Sequence, residues 1–187
     1  MDQQTRLHTA DGFELSTVVT HGELSDIVIW MHGISVDKDE YLGFFRDGAN
    51  TFAHEGYPSI RFDFRGHGDS SGSSLDFSIV GQNLDLEAVI KFARYTYGSS
   101  RLRLHLVGTS FGAPPAMFAA ERHPDMIQTV CLVSPVLSYR RTFLQPETEW
   151  ARELFGEEQM QVLENTGRLK LDSEFCVGRR LVEEMRI

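Results

Sequence analysis

Between Asp26 and Val133 the chain alternates short apolar runs with helix-spaced ones. That alternation restricts the fold more than any other feature. Ile27 to Met31 is an apolar run of strand length that ends in His32-Gly33. Tyr41 to Glu55 carries Phe44, Phe45, Gly48, Phe52 and Ala53 at near-helical spacing, and Gly56 stops it. Ser59 to Phe64 reads as the next strand. Asp76 is a candidate cap for a long helix with Val80, Leu84, Ala88 and Phe92 down one side and Gly98 at its end. Arg101 to Val107 is a third strand, Phe111 to Arg122 a helix closed by His123-Pro124, and Ile127 to Val133 a fourth strand. The order β-α-β-α-β-α-β predicts an α/β fold, with a mostly parallel sheet, right-handed crossovers and helices on both faces.

The flanks read differently. Asp11-Gly12 separates Arg6–Ala10 from Phe13–Val19, a hairpin signal. After Pro135 no strand-like run is visible. Pro146 to Asn165 and Ser173 to Met185 look helical, so the tail is expected to be helical and not further sheet. His105 alternates with Leu104 and Leu106 and is expected to pack against a covering helix. Arg101 and Arg103 make that strand more polar than one buried on both faces usually is.

Composition narrows the function classes. With 187 residues the chain suits one domain. A net charge of −9 and no basic patch exclude phosphate-backbone recognition, so nucleic acid is not an expected partner. No apolar run approaches the roughly 20 residues that span a bilayer. The first residues lack a basic stretch followed by an apolar one, so a cytoplasmic location is the default expectation. Cys131 and Cys176 form no C-x-x-C, and Cys131 is expected to be a buried, reduced thiol in its apolar run. The histidines show no H-E-x-x-H spacing and no P-loop is present, so neither a metal nor a cofactor is implied.

Gly108-Thr109-Ser110-Phe111-Gly112 is a G-x-S-x-G pattern with a strand before it and a small-residue helix after it. The physical content of that pattern is a strand that turns sharply into a helix. Glycines let the chain pass close to itself, and the serine is pushed out at the end of the strand. Pro114 and Pro115 fall in or near the first turn of the helix, where N–H groups lack intrahelical partners. A Gly-rich turn with a purely structural Ser110 is the competing reading of the pattern alone.

Two further stretches share the strand-end position: His32-Gly33-Ile34-Ser35, and Asp63-Phe64-Arg65-Gly66-His67-Gly68-Asp69-Ser70. The three motifs together, in this order, resemble the α/β-hydrolase family over roughly residues 10–136, most nearly its single-domain esterase, lipase and serine-aminopeptidase-like members. The resemblance implies a hydrolase core over 1–136 and a helical, lid-like segment over 137–187. It implies Ser110 as a nucleophile that forms an acyl-enzyme with a carboxylic ester or thioester. It implies an oxyanion hole from the backbone N–H groups of Ile34 and Phe111. His32, Gly33, Gly108 and Gly112 would support that arrangement, His32 as a hydrogen-bonding histidine and not as the base. The Asp63–Ser70 loop reads as a turn that shapes the pocket. Trp150, Phe155, Met160 and Phe175 could line an apolar lid, although they read more simply as core of the tail.

A serine nucleophile needs a base, and the base an orienting group. The family's chain order is Ser, then Asp or Glu, then His. After Ser110 the only histidine is His123, in a helix-ending "ERHPD", and residues 124–187 contain none. Asp172 lies in the tail without the expected context and is not nominated as the acid. Three explanations stay open. The chain is the N-terminal part of a longer hydrolase whose last strands are missing; or it uses an unrelated base such as His32 or His67; or it is a non-catalytic binding or scaffold protein. In the first case the Ile127–Val133 strand is an apolar edge, and self-association is expected.

Overall fold

The computed structural model describes residues 2–98 and 102–186. Six strands make one sheet: β1 (Asp2–His8), β2 (Glu14–Thr20), β3 (Asp26–Met31), β4 (Ser59–Phe62), β5 (Arg103–Thr109) and β6 (Ile127–Val133). Their spatial order is β1-β2-β4-β3-β5-β6. β1, β2 and β4 pair antiparallel; β4, β3, β5 and β6 pair parallel. The α/β architecture expected from the alternation is therefore present, with the Asp11-Gly12 turn linking β1 and β2. Gly12 has φ +94°, a conformation that glycine adopts freely.

β3 shows how the sequence builds two layers. Ile27, Ile29 and Met31 point to one face and join Leu86, Val89, Ile90, Ala116 and Ala119 of α2 (Ile79–Tyr97) and α3 (Ala113–Arg122). Val28 and Trp30 point to the other face, onto Phe45 and Ala49 of α1 (Phe44–His54). A continuous apolar run is what a strand covered on both faces requires. The long helix is capped by Ser78, which accepts the Gly81 N–H, and not by Asp76. Asp76 instead accepts the Ser73 N–H in the single turn Ser74–Asp76.

The face that α1 covers is open toward β6. Thr129, Cys131 and Val133 are all exposed there. The expected buried thiol is thus wrong for Cys131. Its run is apolar, but alternate side chains of an edge strand face away from α3, and no described element covers them. His105 shares this open face. It bonds Thr129 Oγ1 at 2.8 Å and Asp26 Oδ1 at 3.0 Å, so its ring nitrogens join neighbouring strands and not a covering helix. Arg103 pairs with the same Asp26 at 2.5 Å, which accounts for the polar start of β5. Arg101 lies outside the described residues.

The tail is not wholly helical. A π-helical turn (Arg140–Leu144) leads to α4 (Glu149–Phe155) and α5 (Glu157–Thr166), separated at Gly156. The short strands β7 (Arg168–Lys170) and β8 (Cys176–Gly178) then form an antiparallel hairpin, followed by α6 (Arg179–Glu184). The hairpin overturns the expectation of no strand after Val133 and of a helix from Ser173. Three-residue strands are too short to show a period of two. What holds them is burial of Leu169 and Val177 in the same apolar cluster as the sheet. The Glu184 carboxylate accepts the Val80 N–H at 2.9 Å and so ties α6 to the first turn of α2.

Candidate active site

The turn at Ser110 is set by backbone packing. β5 ends at Thr109 in extended conformation, and Ser110 then takes φ +46° before α3 begins. A left-handed conformation is unfavourable for a residue with a Cβ. The glycines on either side show what enforces it. A Cβ on Gly112 would strike the carbonyls of Met31 and His32 at the end of β3, and one on Gly108 would strike the Gly112 backbone. The turn is thus pressed against the neighbouring strand, and the Ser110 side chain is carried toward the His32-Gly33 loop. A Cβ placed on Gly33 would lie 3.3 Å from Ser110 Cβ.

Phe111 anchors the turn from below. Its ring is buried and stacks on Phe143 of the tail with centroids 5.0 Å apart, and lies edge-on to Phe77 at 5.9 Å. Its carbonyl accepts the side-chain amide of buried Gln82 at 2.9 Å. The Phe111 N–H stands at a helix start, where N–H groups have no intrahelical partner.

The His32 loop is fixed on both sides of Ile34. The Gly33 N–H donates to Glu40 Oε2 at 2.9 Å, and the Ser35 N–H to His67 Nε2 at 3.2 Å. Between them the Ile34 N–H has no hydrogen bond among the described residues. His32 and His67 are buried side by side, with ring centroids 4.9 Å apart. His32 Nε2 accepts the Phe64 N–H at 2.9 Å, which leaves Nδ1 to donate to the Gly33 carbonyl at 2.6 Å. His67 Nε2 accepts from Ser35, so its Nδ1 donates to the Arg65 carbonyl at 3.1 Å. Burial lowers the pKa of His32 against the pull of Asp63. Burial, with His32 as neighbour, lowers that of His67 further. Both rings are neutral, with both nitrogens occupied, and neither is free to take a proton from Ser110. His123 is elsewhere, bonded to Glu87 at 3.0 Å.

The Asp63–Ser70 loop is a turn held by hydrogen bonds, and its Gly66, His67 and Gly68 line a cavity other than the one at Ser110. The Asp63 carboxylate receives the Lys38 N–H and ammonium at 2.6 and 2.8 Å, and the Asp69 N–H at 2.9 Å. Arg65 lies buried between Asp85, at 2.8 Å, and Asp11, at 2.7 Å. Hydrogen bonds from Arg65 hold the Asp11 carboxyl down at about 2. Asp172 accepts the N–H groups of Glu174 and Phe175 in a turn of its own. No group of three or more His, Cys, Asp or Glu side chains suited to a metal occurs among the described residues.

Beside Ser110 lies a cavity of about 340 Å³. Ser134, Val136, Leu137, Arg141, Glu147 and Trp150 are among the residues that line it. Trp150 is half exposed in this wall, whereas Phe155 and Phe175 belong to the core. The sequence motifs point to Ser110, Ile34 and Phe111; in the structure Phe111 follows Ser110 in the turn, and Gly33, the residue before Ile34, packs against Ser110. The motifs give no sign of a role for Glu40, Thr109, Gln82 or Ser134. Thr109 fills a variable position of the G-x-S-x-G pattern and the other three lie outside it, so only the tertiary contacts recruit them.

Residues 22–176 match the family described as serine aminopeptidase, S33. Monoacylglycerol lipase abhd6-B of Xenopus laevis is 33% identical over 109 residues, which are 58% of this chain and 30% of that protein. A 2-hydroxy-6-oxononadienedioate/2-hydroxy-6-oxononatrienedioate hydrolase of Paraburkholderia phymatum is 29% identical over 79% of this chain and 49% of its own length. The chain thus spans half or less of these two curated relatives. Among solved structures, Est1E of Butyrivibrio proteoclasticus, determined with ferulic acid bound, superposes with a TM-score of 0.75 at 18% identity. The overlap covers 98% of this chain and 71% of that one. No helix among the described residues is long and apolar enough to cross a membrane. The three strand-end motifs, the mixed sheet that carries them and the match over residues 22–176 agree, and the chain belongs to the serine aminopeptidase S33 family of α/β-hydrolases.

Proposed function

We propose that this chain carries the nucleophile half of a serine hydrolase for carboxylic esters or thioesters, with Ser110 as the acyl-accepting hydroxyl. The observation that carries the reading is the left-handed Ser110 at the β5–α3 turn, packed against Gly33, with the next N–H along, that of Ile34, left free between two bonded neighbours. Attack of Ser110 Oγ on an acyl carbon would place negative charge on the carbonyl oxygen. The Ile34 and Phe111 N–H groups would receive that charge. Gly108 and Gly112 would hold the turn, and His32 with Gly33 the donor loop.

The cavity beside Ser110 supports a small substrate, with Leu137 and Trp150 as its apolar wall and the Arg141–Glu147 pair at its polar side. Residues 137–187 would then act as a lid-like segment over the 1–136 core. The similarity to a monoacylglycerol lipase and the fold shared with Est1E are consistent with an ester. No described side chain accepts a hydrogen bond from Ser110, so this reading needs a base and an acid that the described residues do not supply at the turn.

A second reading rests on the same observation. With His32 and His67 locked and no base at Ser110, the chain would be a non-catalytic relative that binds a small apolar ligand or a partner chain. Intact-mass labelling with a fluorophosphonate, beside a Ser110→Ala control, separates the two. One adduct per chain, absent from the control, establishes an activated Ser110. No adduct on the folded chain removes catalysis by residues 1–187 alone.

A further inference from the structure

Glu40 belongs to no motif, yet its carboxylate reaches the candidate site. Oε2 accepts the Gly33 N–H at 2.9 Å and also the Thr109 hydroxyl. Oε1 accepts the N–H of Tyr41 at 3.2 Å. Gly33 directly precedes Ile34, and Thr109 directly precedes Ser110. One oxygen therefore bridges the loop that presents the free N–H and the strand that presents the hydroxyl. The Glu40 backbone has φ +60°, a conformation costly for any residue but glycine. Such strain persists only where the surroundings enforce it, and here three hydrogen bonds to one carboxylate do so.

We propose that Glu40 is a positioning residue for this site, its carboxylate fixing the distance between the Ser110 hydroxyl and the Ile34 N–H. The inference rests on the reading of Ser110 and Ile34 given above. It also makes sense of the free N–H. With the Gly33 N–H held by Glu40 and the Ser35 N–H by His67, Ile34 alone is left to face a substrate oxygen. Glu40 needs no proton transfer for this role, only two acceptor directions on one oxygen.

The test compares the wild-type chain with Glu40→Ala and Glu40→Gln, each labelled with nitrogen-15. Loss of a hydrogen bond to a charged acceptor should speed exchange of the Gly33 amide by about tenfold or more in Glu40→Ala. The Ile34 and Phe111 amide resonances should shift, while the Ile29 and Leu106 amides stay protected. Glu40→Gln keeps an acceptor oxygen and should restore most of the protection. The fluorophosphonate rate at Ser110 should fall in Glu40→Ala and recover in Glu40→Gln. Equal Gly33 exchange in wild type and Glu40→Ala, or unmoved Ile34 and Phe111 resonances, overturns the proposal. If the wild type takes no adduct, catalysis by this chain fails, and the amide measurements still decide the role of Glu40. Should Glu40→Ala not fold, Thr109→Val removes the hydroxyl bond alone. The Ser110 and Phe111 resonances must then move with Gly33 still protected, and their failure to do so overturns it.

Discussion

Ser110 and Ser134 end neighbouring parallel strands at the same level, and each has φ +46°. The pairing of Thr109 with Val133 places them side by side, and both line the cavity of the candidate site. Two left-handed serines at adjacent strand ends are a local cost that the surrounding packing carries. Relief of that strain is expected to outweigh the added flexibility of glycine in the unfolded chain. Ser110→Gly should therefore be about 1 kcal/mol more stable than Ser110→Ala in urea denaturation. Equal midpoints would show that Ser110 is unstrained in solution.

Asp85 is fully buried against Arg65, with Asp11 on the opposite side of the guanidinium. Asp85→Ala would leave a buried cation with one partner. A loss of about 3 kcal/mol is expected, because the remaining charge keeps its desolvation cost. Urea denaturation monitored by Trp fluorescence reads it. A loss below about 1 kcal/mol would mean that Asp11 alone satisfies Arg65.

His32 and His67 are held neutral, with pKa values below the ordinary 6.5. The unfolded chain takes up protons at both as the pH drops through 6.5, and the native chain does not. Their contribution to stability is complete above that value and is lost as the pH falls toward their native pKa values. The urea midpoint should decline between about pH 7 and about pH 5, and decline less in His67→Gln. A flat profile would contradict buried neutral rings.

β6 is an edge strand without a charged residue or proline along Ile127–Val133, and edges of that kind pair with other chains. The 187-residue chain is expected to self-associate with rising concentration, and Cys131→Lys to reduce it. Sedimentation velocity measures both. Cys131 should also react with a thiol reagent in the native state. A monodisperse monomer at high concentration, or an unreactive Cys131, would show that something covers this face.

The sequence by itself determined the α/β class, the alternation of strands and helices from Asp26 to Val133 and the Ser110 turn. Those depend on local periodicity and on glycines that a sharp strand-to-helix turn requires. The tertiary structure decided the rest. The β7–β8 hairpin is held by burial of Leu169 and Val177, contacts that three-residue strands do not advertise. Cys131 is apolar in context but exposed, because burial depends on what covers a face and not on the residue's own run. The roles of His32 and His67 were settled by their second nitrogens, which bond backbone from Gly33 and Arg65. Glu40 reaches Thr109 across 69 residues of sequence. A single polar contact of that range leaves no periodic trace, since only chain folding sets the distance between its partners.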